Sequence, residues 1–225
     1  GVVDEGLASP IVIGRPSVVE RRIERYGLRI KPGVDFELVN PEWDERYRSY
    51  WEEYHRLTER RGVSIQYAQI EMRRRHTLIG AMMLHKGHAD GMICGTFGTY
   101  GLHLQFVDQV IGRRAGVRNY YAMNVLMLPE RTLFVCDTYV NLDPDAAQLA
   151  EMTVLAAEEI RRFGLQPKAA LMSHSSFGTS NAAWRYARRL AIPWRTTLIT
   201  AVAAAGPPLY GTCVICSLFC NANNA

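Results

Sequence analysis

Short apolar stretches alternate along this chain with longer segments in which apolar residues recur every three or four positions. The apolar stretches predict β-strands, and the periodic segments predict amphipathic α-helices. Alternation of these two patterns through most of a chain is typical of α/β folds. We therefore expect an α/β architecture.

The pattern also gives approximate bounds for each element. Strands are predicted at 11–14, 36–39, 90–95, 121–128, 132–136 and 168–172, and the fourth and fifth of these read as a hairpin. Helices are predicted from 16 to about 26, and at 44–61, 64–74, 77–85, 102–111 and 146–163. Tyr47, Tyr50, Trp51 and Tyr54 share one face of the second helix, which favours core packing over a platform for stacking bases.

A glycine-rich turn separates the predicted strand 90–95 from the helix at 102–111. Gly95, Thr96, Gly98 and Thr99 form this turn. Backbone N–H groups and a helix N-terminus meet in such an arrangement, which suits an anion. The spacing matches neither the dinucleotide fingerprint nor the Walker loop, so a simple tight turn is the alternative interpretation.

Two further polar segments follow predicted strands, where ligands of α/β proteins commonly bind. Asp137 and Asn141 come just after the strand at 132–136. A loop rich in hydroxyl groups follows the strand at 168–172, and its candidate phosphate-binding residues are Ser173, Ser175, Ser176, Gly178, Thr179 and Ser180. A merely polar loop is the alternative for this segment.

Composition and charge indicate which kinds of molecule this chain binds. The chain has 225 residues, 26 basic and 22 acidic side chains and a formal net charge of +4, without a basic stripe interleaved with aromatics. We therefore expect small anionic ligands and no nucleic acid. The sequence has no apolar run long enough for a membrane span. Its five cysteines are an odd number, which favours a reducing compartment, and we expect a cytoplasmic protein.

Three other groups of residues have a structural and a functional interpretation. The run Arg73-Arg74-Arg75 is suited to a phosphate, but a solvated helix end is the simpler interpretation. Cys213, Cys216 and Cys220 provide three thiols without a fourth ligand nearby, which disfavours a metal site. His174 lies beside serines without a carboxylate placed to orient it, which disfavours a hydrolase triad.

Four motifs together resemble the phosphate acetyltransferase (phosphate acetyl/butyryl transferase) family. They are DEGLASPIVIGRP from Asp4, HKGHADGMICGT from His85, VNLDPDAAQLAE from Val140 and LMSHSSFGTS from Leu171. The resemblance is greatest to the C-terminal transferase-like domain of bacterial NADP-dependent malic enzymes. It implies a three-layer α/β/α, phosphotransacetylase-like (isocitrate dehydrogenase-like) fold, incomplete at the C-terminus.

The same resemblance implies that this chain lacks acyltransferase catalysis. Gln105 stands approximately where the acetyltransferases carry an arginine that contacts phosphate, and Asp137-Thr138 replaces an Asp-Cys pair. The family's Ser-Arg-Gly segment and the Asp after it have no counterpart after Asn181. Loss of a positioned cation or an acid–base partner typically removes about 3–4 kcal/mol of transition-state stabilisation. We assign no catalytic residue to this chain.

The resemblance extends over residues 1–181, and residues 182–225 form an atypical tail without Asp, Glu or Lys. A frameshift or a truncation explains the tail better than a divergent end, and the start without Met suggests a piece of a longer protein. The resemblance implies a regulatory domain that senses acetyl-CoA within a homo-oligomeric malic enzyme. NADP and a divalent metal would belong to an N-terminal part of that parent. The alternatives are a piece of a phosphate acetyltransferase and an oligomerisation module without a ligand site.

Overall fold

The computed structural model describes residues 1–129, 131–142 and 144–171, together with the backbone of 201–204 and 217–218. The chain divides into two compact units, of which the first spans Gly1–Gly112 and the second begins at Arg113. Both units combine helices with strands, which confirms the predicted α/β class. No helix within these described ranges has the length and apolar character that crossing a membrane requires.

The first unit contains two short strands and five helices in its described part. They are β1 (Ile11–Ile13), α1 (Pro16–Arg25), β2 (Glu37–Val39), α2 (Tyr47–Thr58), α3 (Ile65–Arg74), α4 (His76–His85) and α5 (Tyr100–Val110), with a 3-10 turn at Glu59–Arg61. β1 and β2 pair in parallel, with Val12 opposite Leu38.

The core of the first unit forms around α4, which is apolar on all sides and buried from Thr77 to Met83. The aromatic face of α2 contributes Tyr50 and Tyr54, which are only 2% and 1% exposed. The core-packing interpretation of this face is therefore confirmed. Ser64 caps α3 by accepting a hydrogen bond from the backbone N–H of Tyr67, as its position before the helix predicts.

The second unit is built on an antiparallel sheet. Its elements are β3 (Ala122–Leu128), β4 (Arg131–Cys136), α6 (Ala146–Arg162), β5 (Lys168–Ala170), β6 (Ala201–Ala204) and β7 (Ser217–Leu218). The order across the sheet is β5-β6-β4-β3-β7, and β3 and β4 form the predicted hairpin, with Val125 opposite Phe134.

One face of this hairpin packs against α6. The inward residues Met123, Val125 and Phe134 alternate along the two strands with less buried ones, as the two-residue period of a strand requires. A capping box starts α6: the Asp145 carboxylate accepts from the N–H of Gln148, whose side-chain oxygen accepts from the N–H of Asp145.

The predicted strand at 90–95 is wrong. These residues form an irregular loop that pairs with none of the described strands, and Ile93 is completely exposed. Gly91 and Gly95 flank an apolar run of only three residues. This run is too short, and too flexible at its ends, to form the hydrogen bonds of a β-sheet. Met92 packs instead against α4 at Gly80, where an added Cβ would lie 2.5 Å from the Met92 sulfur.

Candidate anion-binding site

A cavity of about 550 Å³ lies within the first unit. Its walls are β1, the junction between α3 and α4, the loop from Ala89 to Gly98, and the first turn of α5. The apolar part of the lining comes from Ile11, Val12, Ile13, Gly80, Met83, Ala89, Met92, Ile93, Phe97, Leu102 and Phe106. The polar part comes from Arg74, Arg75, His76, Thr77, Cys94, Thr96, His103 and the backbone of the glycine turn.

The glycine turn forms one wall of this cavity. Gly95, Thr96 and Gly98 line it, while Thr99 is the residue that precedes α5 and makes no side-chain cap there. Gly98 has a φ of +101°, and a Cβ at this position would lie 3.2 Å from Nε2 of His103. Only glycine fits this conformation and this approach without strain. The structure thus brings three of the predicted residues into one cavity.

His103 fastens the glycine turn to α4 through both ring nitrogens. Nε2 lies 2.8 Å from the carbonyl oxygen of Phe97, and Nδ1 lies 2.6 Å from the hydroxyl of the buried Thr77. A carbonyl oxygen only accepts, so Nε2 carries the hydrogen of the bond to Phe97, and in that tautomer Nδ1 accepts from the hydroxyl of Thr77. Sequence reasoning missed both residues, because no periodic signal connects positions 26 residues apart.

The charged side chains of the described cavity lining are Arg74 and Arg75. His76 lines the cavity beside them, and the described lining includes no Asp or Glu. The pKa of His76 lies below its ordinary value because burial disfavours the charged ring, and the nearby Arg15 adds to this effect. A cationic lining beside an uncapped turn favours a negatively charged ligand.

The arginine run divides between two environments. Arg73 lies over the ring of Tyr47, 4.7 Å from its centre, and does not line the cavity. Arg74 and Arg75 do line it, and Nε of Arg75 donates to Oε2 of the buried Glu71 at 2.9 Å. Arg74 and Arg75 thus lie at an exposed helix end that also lines the cavity, and their role in binding phosphate stays a prediction.

Asp137 and Asn141 lie together in the second unit, in the turn after β4. Oδ1 of Asp137 accepts from the N–H groups of Ala122, Tyr139 and Val140. Oδ2 accepts from both the backbone and side-chain nitrogens of Asn141, at 2.7 and 2.5 Å. This carboxylate organises its own turn, and the role of both residues in ligand binding stays a prediction.

The second polar loop falls outside the described residues. It includes Ser173, Ser175, Ser176, Gly178, Thr179 and Ser180, whose proposed contact with phosphate also stays a prediction. The same holds for the boundary between residues 1–181 and the predicted tail at 182–225.

The α/β fold of this chain occurs in a known family of proteins. The family described as phosphate acetyl/butaryl transferase matches residues 1–190, and the chain belongs to this family. The similarity to a phosphotransacetylase from Streptococcus pyogenes has a TM-score of 0.68 at 23% identity, and covers 88% of this chain and 62% of that one. The predicted phosphotransacetylase-like fold is confirmed.

Two longer enzymes contain a segment similar to this chain. The NADP-dependent malic enzyme of Salmonella typhimurium is 55% identical over 177 residues, which are 79% of this chain and 23% of that enzyme. The phosphate acetyltransferase of Nitratidesulfovibrio vulgaris is 31% identical over 182 residues, 81% of this chain and 25% of its own length. The chain therefore spans about a quarter of the length of these curated relatives. The predicted resemblance to malic enzymes is confirmed.

Proposed function

We propose that this chain is the regulatory, transferase-like part of an NADP-dependent malic enzyme, and that it senses acetyl-CoA without catalysing acyl transfer. The observation that carries the proposal is the cavity of the first unit, whose charged lining is basic and whose wall is a glycine turn. In this proposal, malate oxidation, NADP and the divalent metal belong to the remaining length of a homo-oligomeric, cytoplasmic parent.

The lining suits a ligand with both phosphate and apolar groups. Arg74 and Arg75 offer positive charge, and Ile13, Leu102 and Phe106 offer an apolar surface in the same cavity. Acetyl-CoA combines phosphates with an extended, largely uncharged arm, so it matches this division. The volume lies within the range of about 300–1,000 Å³ that is common for small-molecule sites, and would hold part of such a ligand.

The absence of catalysis is proposed from the residues near the turn. The resemblance places Gln105 approximately where the acetyltransferases carry a phosphate-contacting arginine. It is exposed and does not line the cavity. Catalysis requires that the protein stabilise the transition state more than the bound ligand. Without a cation at that position, this chain would lack a group that provides such stabilisation.

Two measurements on the protein test this proposal. Acetyl-CoA at about 100 times its dissociation constant should stabilise the native state by ~2.7 kcal/mol, seen as a rise in melting temperature. An assay with acetyl phosphate and coenzyme A should show no acetyl transfer. Turnover in that assay would instead make the chain part of a phosphate acetyltransferase, and an unchanged melt would favour an oligomerisation module without a ligand site.

A further inference from the structure

We propose that the junction of α3 and α4 is a phosphate-binding subsite of this cavity, in which Arg74 and Arg75 bind a phosphate dianion beside the start of α4. This inference deepens the proposed function and rests on it, because it assigns the anionic end of the ligand to named residues. The shared chemistry is a phosphate dianion, which either acetyl-CoA or free inorganic phosphate provides.

The start of α4 lies at the cavity wall. Arg75 is the residue before this ten-residue helix, and its side chain makes no capping bond. His76 and Thr77, the first residues of the helix, both line the cavity. The first N–H groups of a helix have no partners within it. Arg75 also ends α3, whose dipole opposes that of α4 at this point, so the subsite depends on the arginine side chains.

Arg75 is held in place by a buried carboxylate. Glu71 is 5% exposed and lies one turn earlier on α3, and its Oε2 accepts from Nε of Arg75. That bond uses one edge of the guanidinium and leaves its terminal nitrogens with no other hydrogen bond to the described residues. A guanidinium fixed in this way loses little freedom when it binds a phosphate bidentately.

Arg74 adds a second cation at the same place. It lines the cavity and forms no ion pair within the described part of the chain. The described lining includes no acidic side chain, and Arg74 is exposed. A dianion in this cavity therefore meets two guanidinium groups, a combination that favours phosphate over a monovalent anion.

Arg73 provides a matched control one residue away. It stacks on Tyr47, outside the cavity. Arg73→Gln and Arg74→Gln therefore lower the net charge equally, but only Arg74→Gln removes a cation from the cavity lining. Both side chains are exposed, and we expect both variants to fold. Circular dichroism melts of each variant verify this before binding is measured.

The experiment measures binding of inorganic phosphate, acetyl-CoA and acetyl-dephospho-CoA by calorimetry to the wild type and the three variants Arg73→Gln, Arg74→Gln and Arg75→Gln. We expect Arg74→Gln and Arg75→Gln to bind acetyl-CoA about tenfold more weakly, and Arg73→Gln to match the wild type. A loss confined to acetyl-CoA with its 3′-phosphate identifies that group as the occupant. A matching loss with inorganic phosphate alone identifies free phosphate.

The outcomes separate this inference from the proposed function. If the wild type binds acetyl-CoA and all variants bind it equally, the subsite is wrong and the sensing function stands. If phosphate binding is lost in Arg74→Gln and Arg75→Gln but acetyl-CoA never binds, the subsite stands and the sensing function fails. Equal weakening by Arg73→Gln and Arg74→Gln would mean non-specific attraction and would overturn the subsite.

Discussion

Cys136 is a buried thiol at the end of β4. Burial, and to a smaller extent the neighbouring Asp137, raise its pKa to about 12. At pH 8 only ~1 in 10⁴ of such thiols is ionised, and the thiolate is the reactive form. We expect iodoacetamide to modify the exposed Cys94 of the native protein and to leave Cys136 intact, as peptide mass spectrometry would show.

The same labelling in urea is the control for Cys136. Unfolding removes the burial, so both peptides should then be modified at similar rates. Equal modification of Cys94 and Cys136 in the native protein would contradict the buried position of the thiol.

Glu53 links the stability of the first unit to pH. Its carboxylate accepts from Arg56 and is 3.1 Å from Nε2 of His85, and these contacts lower its pKa to about 2, with Arg56 the larger cause. A carboxyl with a lowered folded-state pKa stabilises the protein above its ordinary pKa of about 4.5 and loses that effect as pH falls toward 2.

We expect this contribution to be about 1 kcal/mol, because Arg56 is largely exposed and solvent screens the pair. Urea unfolding of the wild type and of Glu53→Gln between pH 6 and pH 3 measures it. The free energies of unfolding should differ above pH 5 and converge toward pH 3. A constant difference over that range would count against the predicted pKa.

At the scale of elements, His103 connects α5, α4 and the glycine turn. His103→Ala removes two hydrogen bonds, each worth about 1 kcal/mol, and Thr77→Val removes one of them. Hydrogen exchange of amides in the peptide covering residues 95–98 should be about tenfold faster in His103→Ala, with a smaller change in Thr77→Val.

Gln109 offers a control on the same helix. Its side chain accepts from the hydroxyl of Tyr54, away from the turn, so Gln109→Ala should leave exchange at residues 95–98 unchanged. If His103→Ala also leaves it unchanged, the histidine does not hold the turn.

Most helices were predictable from the sequence because their signals are local. The aromatic face of α2, Ser64 before α3 and Asp145 before α6 each determine their element through contacts within a few residues. The prediction of a strand at 90–95 was wrong because a distant contact decides the structure of this segment. Its three apolar residues satisfy the local rule, but Met92 packs on Gly80, a tertiary contact that no local pattern reveals.

The candidate site was predictable only in part. The glycine turn has a local signature, so Gly95, Thr96 and Gly98 were found from the sequence. Arg74 and Arg75 belong to the same cavity because α3 ends beside that turn, about 20 residues away in sequence. A charge run has the same appearance on a solvated helix end and on a cavity wall, so tertiary packing alone distinguishes the two.

At the scale of the whole molecule, each unit buries its own apolar cluster. Leu78 belongs to the cluster of the first unit and Leu155 to that of the second. Both side chains are almost fully buried, at 0% and 5% exposure, and neither lines the candidate site. Sequence patterning predicted the helices that carry these side chains but not the division at Gly112, since α/β alternation continues across it.

The matched substitutions Leu78→Ala and Leu155→Ala test whether the two clusters act as separate cores. Each should destabilise its own unit by about 2–5 kcal/mol, the usual cost of a Leu-sized cavity. Hydrogen exchange should therefore rise first in peptides of residues 1–112 for Leu78→Ala, and in peptides from residue 113 on for Leu155→Ala. An equal rise throughout the chain in both variants would mean that the clusters unfold as one cooperative core.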